Sequence, residues 1–176
     1  RYAGMGEVNQ LEQYIRLNQA NDFEDFMAAM ELQYLPSINY VYGDKTGNVA
    51  FIHNAQYPNR VEGWDWSKVM PGNRSELIWR GYRPFRAVPK LVNPKSGLVF
   101  NANNTPFSAT DGPDNLQSSK FPESMGLASN QTNRSQRLIE LNDGVTLISE
   151  QELLRQKFDV EYSVNSKFYQ SLKNVI

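Results

Sequence analysis

The order of residue patterns along the chain predicts an α+β fold, with helices packed on an antiparallel sheet. Apolar residues at helical spacing occupy both ends of the 176-residue sequence. Between them lies a block of short β-branched and aromatic runs, separated by Gly, Pro, Asn and Asp turn chemistry. The pattern divides into a helical segment over 1–36, strands and loops over 37–104, a long loop over 105–132 and a second helical segment over 133–176. A chain of this length can bury a single sizeable core.

Val8, Leu11 and Ile15 recur at helical spacing and predict an amphipathic helix from Glu7 to about Asn18. Asn21, with Glu24 three residues on, reads as a capping box opening a second helix. Phe23, Phe26, Met27 and Met30 mark the buried face of that helix, and Pro36 ends the helical region. Ile38–Tyr42 and Val49–His53 are strand candidates joined by Gly43-Asp44-Lys45-Thr46-Gly47-Asn48, which predicts a β-hairpin. Residues 55–75, with Pro58, Gly63, Pro71 and Gly72, read as an irregular loop. Leu77–Trp79 and Leu98–Ala102 are read as third and fourth short strands. The Ser-, Asn-, Asp-, Gly- and Pro-rich loop that follows is of the kind that carries function. Helices resume over Asn133 to about Leu141, with Leu138, Ile139 and Leu141 apolar. Another follows the Ser149/Glu152 capping box, over Leu153, Leu154 and Phe158. A last helix within Ser163–Ile176 turns Phe168, Leu172 and Val175 inward.

Composition removes whole classes of function. The 18 basic and 19 acidic residues are balanced and form no run, so nucleic acid and an anionic membrane are not expected partners. No apolar stretch reaches the roughly 18 residues needed to span a bilayer. Cysteine is absent, which excludes disulfides, thiol nucleophiles and thiolate metal sites. The start, Arg1-Tyr2-Ala3-Gly4, reads as a processed chain or an excised piece of a longer protein.

His53 is the only histidine, so a histidine metal cluster is impossible and any Ser-His-Asp triad would need this ring. No Gly-x-Ser-x-Gly elbow supplies a serine, and His53 is read as structural. Asp22, Glu24, Asp25 and Glu31 have the spacing of caps and a solvated face. Trp64, Trp66, Trp79 and Tyr82 suit either a sugar-stacking platform or the packing of an irregular loop, and packing is the expected role. Asp44-Lys45-Thr46-Gly47 lacks the further acidic positions of a calcium loop. Arg134 and Arg137 open a helix against its dipole, which implies a carboxylate partner, an anionic ligand or a solvated face.

The most informative stretch is Asn93–Pro106, reading NPKSGLVFNANNTP. Three asparagines, Asn101, Asn103 and Asn104, close an apolar run. Their amides either make an Asn-Asn-Thr-Pro turn or supply a donor to an oxyanion in acyl transfer.

Read together, the segments resemble the penicillin acylase family of N-terminal nucleophile hydrolases, which includes acyl-homoserine-lactone acylases. The resemblance rests on Ser37–Phe51, with its Asp-x-x-Gly-Asn turn, and on HNAQYPNR at His53–Arg60. It continues through Met70-Pro71-Gly72, Trp79-Arg80-Gly81 with Pro84-Phe85, and Asn93-Pro94-Lys95-Ser96-Gly97 into Asn101–Pro106. It covers residues 1 to about 142 in order, within the interior of the catalytic β-chain, and the later helices more loosely. The resemblance implies a portion of the family's αββα sandwich, its antiparallel strands flanked by helices. It places the oxyanion-hole asparagine on Asn103 and a supporting arginine on Arg134. It implies no cofactor for catalysis. It allows a structural calcium in the parent, with Asp111, Asp114 and the Trp66 carbonyl as the positions falling in this chain. The family nucleophile, a serine freed at the β-chain start, lies upstream of the match, so this piece alone is expected to be inactive. The implied partners are the α-chain, the rest of the β-chain and a small acyl amide: a β-lactam, an N-acyl homoserine lactone or a similar substrate. The implied setting is periplasmic or secreted, after autoproteolysis. The competing expectations are a non-catalytic module binding carbohydrate through Trp64, Trp66, Trp79 and Tyr82, and a degenerate acylase.

Overall fold

A computed structural model describes residues 2–175. Five α-helices and three strands follow in the order α1 (Gln10–Gln19), α2 (Phe23–Glu31), β1 (Ile38–Gly43), β2 (Val49–Asn54), β3 (Lys90–Val92), α3 (Asn133–Asn142), α4 (Glu150–Lys157) and α5 (Lys167–Lys173), with short 3₁₀ turns between them. The fold is α+β, as the pattern predicts. The strands form one antiparallel sheet in the order β1-β2-β3. Among the described residues no helix is long and apolar enough to cross a membrane.

The hairpin forms where Gly43-Asp44-Lys45-Thr46-Gly47-Asn48 places it, pairing Gly43 with Val49 and Asn39 with His53. Asp44 organises its turn. One carboxylate oxygen accepts from the Thr46 N–H, the Thr46 hydroxyl and the Asn48 N–H, and the other from the Asn48 amide and the Tyr42 hydroxyl. Gly47 closes the turn at a φ of +94°, which an L side chain rarely adopts. The bonds from the Asn48 side chain, then from Thr46, hold the Asp44 carboxyl well below the usual carboxylate range. The folded value lies under the unfolded one, so this contribution is complete above the ordinary value of 3.8 and is lost as pH falls below it. Urea unfolding followed from neutral to acid pH should therefore show a smaller acid loss in Asp44→Asn than in the wild type.

Strand β2 is central and buried on both faces, so it reads as a nearly continuous apolar run rather than an alternating one. On one face Ile52 meets Phe26 and Met30 of α2, together with Tyr57, Phe85, Val88 and Met125. On the other, Phe51 packs with Leu91 of β3 and with Ala109, Val99 and Leu116. That second cluster presses residues 98–116 onto the sheet, and the Asn-rich segment is part of them.

Several expectations are corrected. Leu77–Trp79 is not a strand; Ser75–Leu77 forms a 3₁₀ turn with Leu77 buried and Ile78 exposed. Leu98–Ala102 makes no ladder, because Phe100 N–H bonds within its own loop, to the Ala109 carbonyl. The third strand is instead Lys90–Val92. The cap of α2 is Asp22, which accepts from the Asp25 N–H, while Asp25 accepts from the Asn21 N–H. The return bond reaches Asn21 rather than the cap Asp22, so the box expected of Asn21 and Glu24 does not form. Helix α1 starts at Gln10 rather than Glu7, and the expected apolar stripe faces outward within this chain: Leu11 and Ile15, and Val8 before the helix, are exposed. The residue α1 buries is Gln13, whose Oε1 accepts from the Tyr34 and Leu35 N–H groups at 2.7 and 2.9 Å. Leu153 and Leu154 of α4 with Phe158 at its end, and Phe168, Leu172 and Val175 in and after α5, are likewise exposed.

Candidate functional site

The Asn-rich segment is built on interlocked amides. Asn104 is buried, and its Oδ1 accepts from the Ala102 N–H while its Nδ2 donates to the Thr105 and Ser108 carbonyls. Asn101 Oδ1 accepts from the Asn103 N–H at 2.9 Å. Thr132, the N-cap of α3, donates its hydroxyl to the Ala102 carbonyl at 2.9 Å. The capping box that starts α3, Thr132 with Ser135, thus also docks the helix end on the Asn loop.

Between these anchors Asn103 is exposed and sits in the left-handed region at a φ of +57°. Asparagine tolerates that backbone better than most L residues. Arg134, in the first turn of α3, donates Nη2–H to Asn103 Oδ1 at 2.6 Å. A guanidinium has only donors, so the oxygen of the Asn103 amide must face it. The NH₂ group therefore points away from Arg134, and no described residue accepts a hydrogen bond from it. The positive end of the α3 dipole lies on the same side. A donor held in this way, backed by a cation, suits an anion that forms beside it.

The two residues singled out as site positions are therefore in direct contact, although 31 positions separate them in sequence. The two arginines of α3 have different partners. Arg137 is held by Asp159 through two bonds of 3.0 and 2.8 Å, with Glu161 at 2.6 Å and Glu140 at 3.5 Å. The bonds to Asp159 push the Arg137 guanidinium further up. Arg134 makes no ion pair with any described residue, and its first-turn charge is turned to Asn103.

A depression of about 300 Å³ adjoins Asn103, lined also by Asn39, His53, Thr105, Ala128 and Asn130. His53 is half-buried, and burial lowers the pKa of its ring. Its Nδ1 contacts Asn39 Oδ1. Asn39 Nδ2 in turn reaches Asn101 Oδ1 at 3.0 Å and the Asn104 carbonyl at 3.1 Å. Asn39 and Thr132 are supports that sequence reasoning missed. The available signals were an amide within an apolar strand and a threonine just before a helix.

The aromatic residues do not share a stacking plane. Trp66 and Trp79 meet edge to face with centroids 6.4 Å apart, and the Arg60 guanidinium lies 5.3 and 5.8 Å from their rings. Trp64 takes Arg74, and the Tyr82 hydroxyl accepts from the Gly4 N–H. The three tryptophans thus sit against the arginines of the 55–82 loop.

Of the positions that the resemblance offers to calcium, Asp114 accepts from the Lys95 N–H at 2.5 Å. Among the described residues no three His, Cys, Asp or Glu side chains gather as metal ligands.

The chain is similar to known acylases along most of its length. It shares 34% identity over 100 residues with a penicillin G acylase of Escherichia coli, which covers 57% of this chain and 12% of that protein. It shares 38% identity over 78 residues with a penicillin acylase 2 proenzyme of Pseudomonas sp. (strain SE83), covering 44% of this chain and 10% of the proenzyme. The structure of a thermostable penicillin G acylase from Alcaligenes faecalis superposes over 96% of this chain and 29% of its own, with a TM-score of 0.69 and 26% identity. The chain thus spans a small part of the length of these relatives. The profile of the penicillin amidase family matches residues 2–174, and on that match the chain belongs to the penicillin amidase family.

Proposed function

We propose that this chain carries the oxyanion-stabilising part of an amide hydrolase of the N-terminal nucleophile type. The observation that supports it best is the 2.6 Å bond from Arg134 to Asn103 Oδ1, which aims the Asn103 NH₂ group outward. In the parent, a serine at a processed N-terminus, outside this chain, attacks the acyl carbonyl. Its own α-amino group takes the hydroxyl proton. The carbonyl oxygen becomes an alkoxide and accepts a hydrogen bond from Asn103 Nδ2. Collapse expels the amine, which takes the proton back, and water then hydrolyses the acyl-serine. The donor is neutral and held in place, so it stabilises the charge without reorganising when the charge forms. Arg134 polarises the amide from its oxygen side and strengthens the N–H donor.

The substrate class in this reading is a small acyl amide: a β-lactam, an N-acyl homoserine lactone or a similar compound. The parent matures by autoproteolysis in the periplasm or outside the cell, with calcium as a structural ion at most. Other segments of the parent cover the exposed apolar stripes of α1, α4 and α5, and without the serine this chain does not turn over substrate. The full-length protein supplies the test, with self-cleavage followed by mass spectrometry and turnover on a panel of chromogenic acyl amides. Arg134→Ala should cleave itself normally and lose about 10- to 10²-fold in kcat, the scale of a misplaced catalytic group. Arg134→Lys, a single donor on a flexible stem, should fall between. A wild-type protein that hydrolyses no amide on the panel overturns the proposal and favours a degenerate acylase.

A further inference from the structure

We propose that His53 and Asn39 are positioning residues for Asn103, acting through a relay of amides; this rests on the reading of Asn103 given above. The direction of every bond in the relay can be deduced. Asn101 Oδ1 receives the Asn103 backbone N–H, which can only donate, so that atom is the amide oxygen. The group of Asn39 that faces both this oxygen and the Asn104 carbonyl must then be its NH₂. Asn39 Oδ1 consequently faces the imidazole, and His53 carries its proton on Nδ1.

The relay begins on the sheet. Asn39 and His53 are cross-strand partners in the β1–β2 hairpin, and β2 is the central strand. It ends on the backbone on both sides of Asn103: the Asn103 N–H through Asn101, and the Asn104 carbonyl directly. Those two groups flank the left-handed residue, where φ is +57°. Arg134 holds the side-chain amide from one direction, and the relay holds the main chain from the other. Without the His53 proton, Asn39 Oδ1 loses its donor, and only the NH₂ bonds to Asn101 and Asn104 still orient the amide. Those two bonds loosen together.

The test uses the full-length protein and steady-state hydrolysis of a chromogenic acyl amide. His53→Phe should lower kcat by about 10- to 10²-fold, as for a displaced catalytic group, with KM changed by less than about twofold. His53→Asn can place an amide N–H where Nδ1–H stood, so it should recover most of that loss. His53→Gln places its amide nearer the Nε2 position and should resemble His53→Phe. This pair keeps a polar side chain in the half-buried site and decides the matter if the phenylalanine variant does not accumulate folded. In an Asn103→Gly background, His53→Gln should cause no further loss, because the group it positions is gone. Equal activity of the Asn and Gln variants, or an undiminished His53→Gln effect in the Asn103→Gly background, overturns the relay. Failure of the underlying reading looks different: Asn103→Gly by itself would then leave kcat unchanged.

Discussion

Asn103→Gly in the full-length protein is expected to lower kcat by about 10²- to 10³-fold, the cost of removing one oxyanion donor. Self-cleavage, followed by mass spectrometry, should remain intact. Glycine is chosen because the position sits at a φ of +57°, where a Cβ is strained. Alanine would mix that strain with the loss of the amide. Asn103→Asp separates structure from electrostatics. It keeps a side chain that tolerates the left-handed region and puts a carboxylate 2.6 Å from Arg134, so the local structure should hold at least as well as in the wild type. Yet it replaces the outward NH₂ by a charged acceptor, which repels an oxyanion. Activity should therefore fall at least as far as in Asn103→Gly, while the melting temperature does not. An Asp variant with near-normal kcat would remove Asn103 from the chemistry.

The largest effect on stability is expected at Phe51. It is fully buried in the centre of β2 and contacts Leu91, Ala109, Val99 and Leu116. Phe51→Ala should cost about 3–5 kcal/mol, through lost transfer energy and the cavity left behind. Phe51→Leu, which fills most of that volume, should cost about 1 kcal/mol. Urea unfolding of the full-length protein gives the comparison. The effect should reach function as well, because Ala109 accepts from Phe100 and residues 98–110 rest on this cluster. A folded Phe51→Ala protein should lose kcat more than it gains KM, since what loosens is the platform under Asn103. Equal stability of the Ala and Leu variants would mean that the cavity collapses at no cost.

The legible parts of the chain were those fixed by neighbours in sequence. The hairpin followed from turn residues between two β-rich runs, and Asp44 satisfies most of its bonds within four positions. The helix start at Ser149 follows from a side chain that reaches an N–H three residues on. Strand β3 was not legible. Three residues next to a proline become a strand only because β2 lies beside them. Leu98–Ala102 has strand composition but no partner edge among the described residues. The α1 stripe shows that periodicity reports which face could be covered, not what covers it; here Gln13 is the inward residue because two backbone N–H groups of the 34–35 turn need an acceptor.

The site divides in the same way. Sequence alone determined that three amides end an apolar run, that no thiol, phosphate loop or histidine cluster competes with them, and that Arg134 and Arg137 open a helix against its dipole. Residue type was enough, because those statements concern chemistry available rather than chemistry assembled. Only the tertiary structure decided which amide is exposed and which is a buried strut, and which arginine is neutralised by carboxylates. It also decided that Asn39 and His53 reach the same loop from the hairpin. The bond from Asn39 to the Asn104 carbonyl, the Arg134–Asn103 contact and the hold of Asp159 on Arg137 join residues 22 to 65 positions apart, and such distances close only when β2 is buried on both faces and α3 docks its first turn on the asparagines.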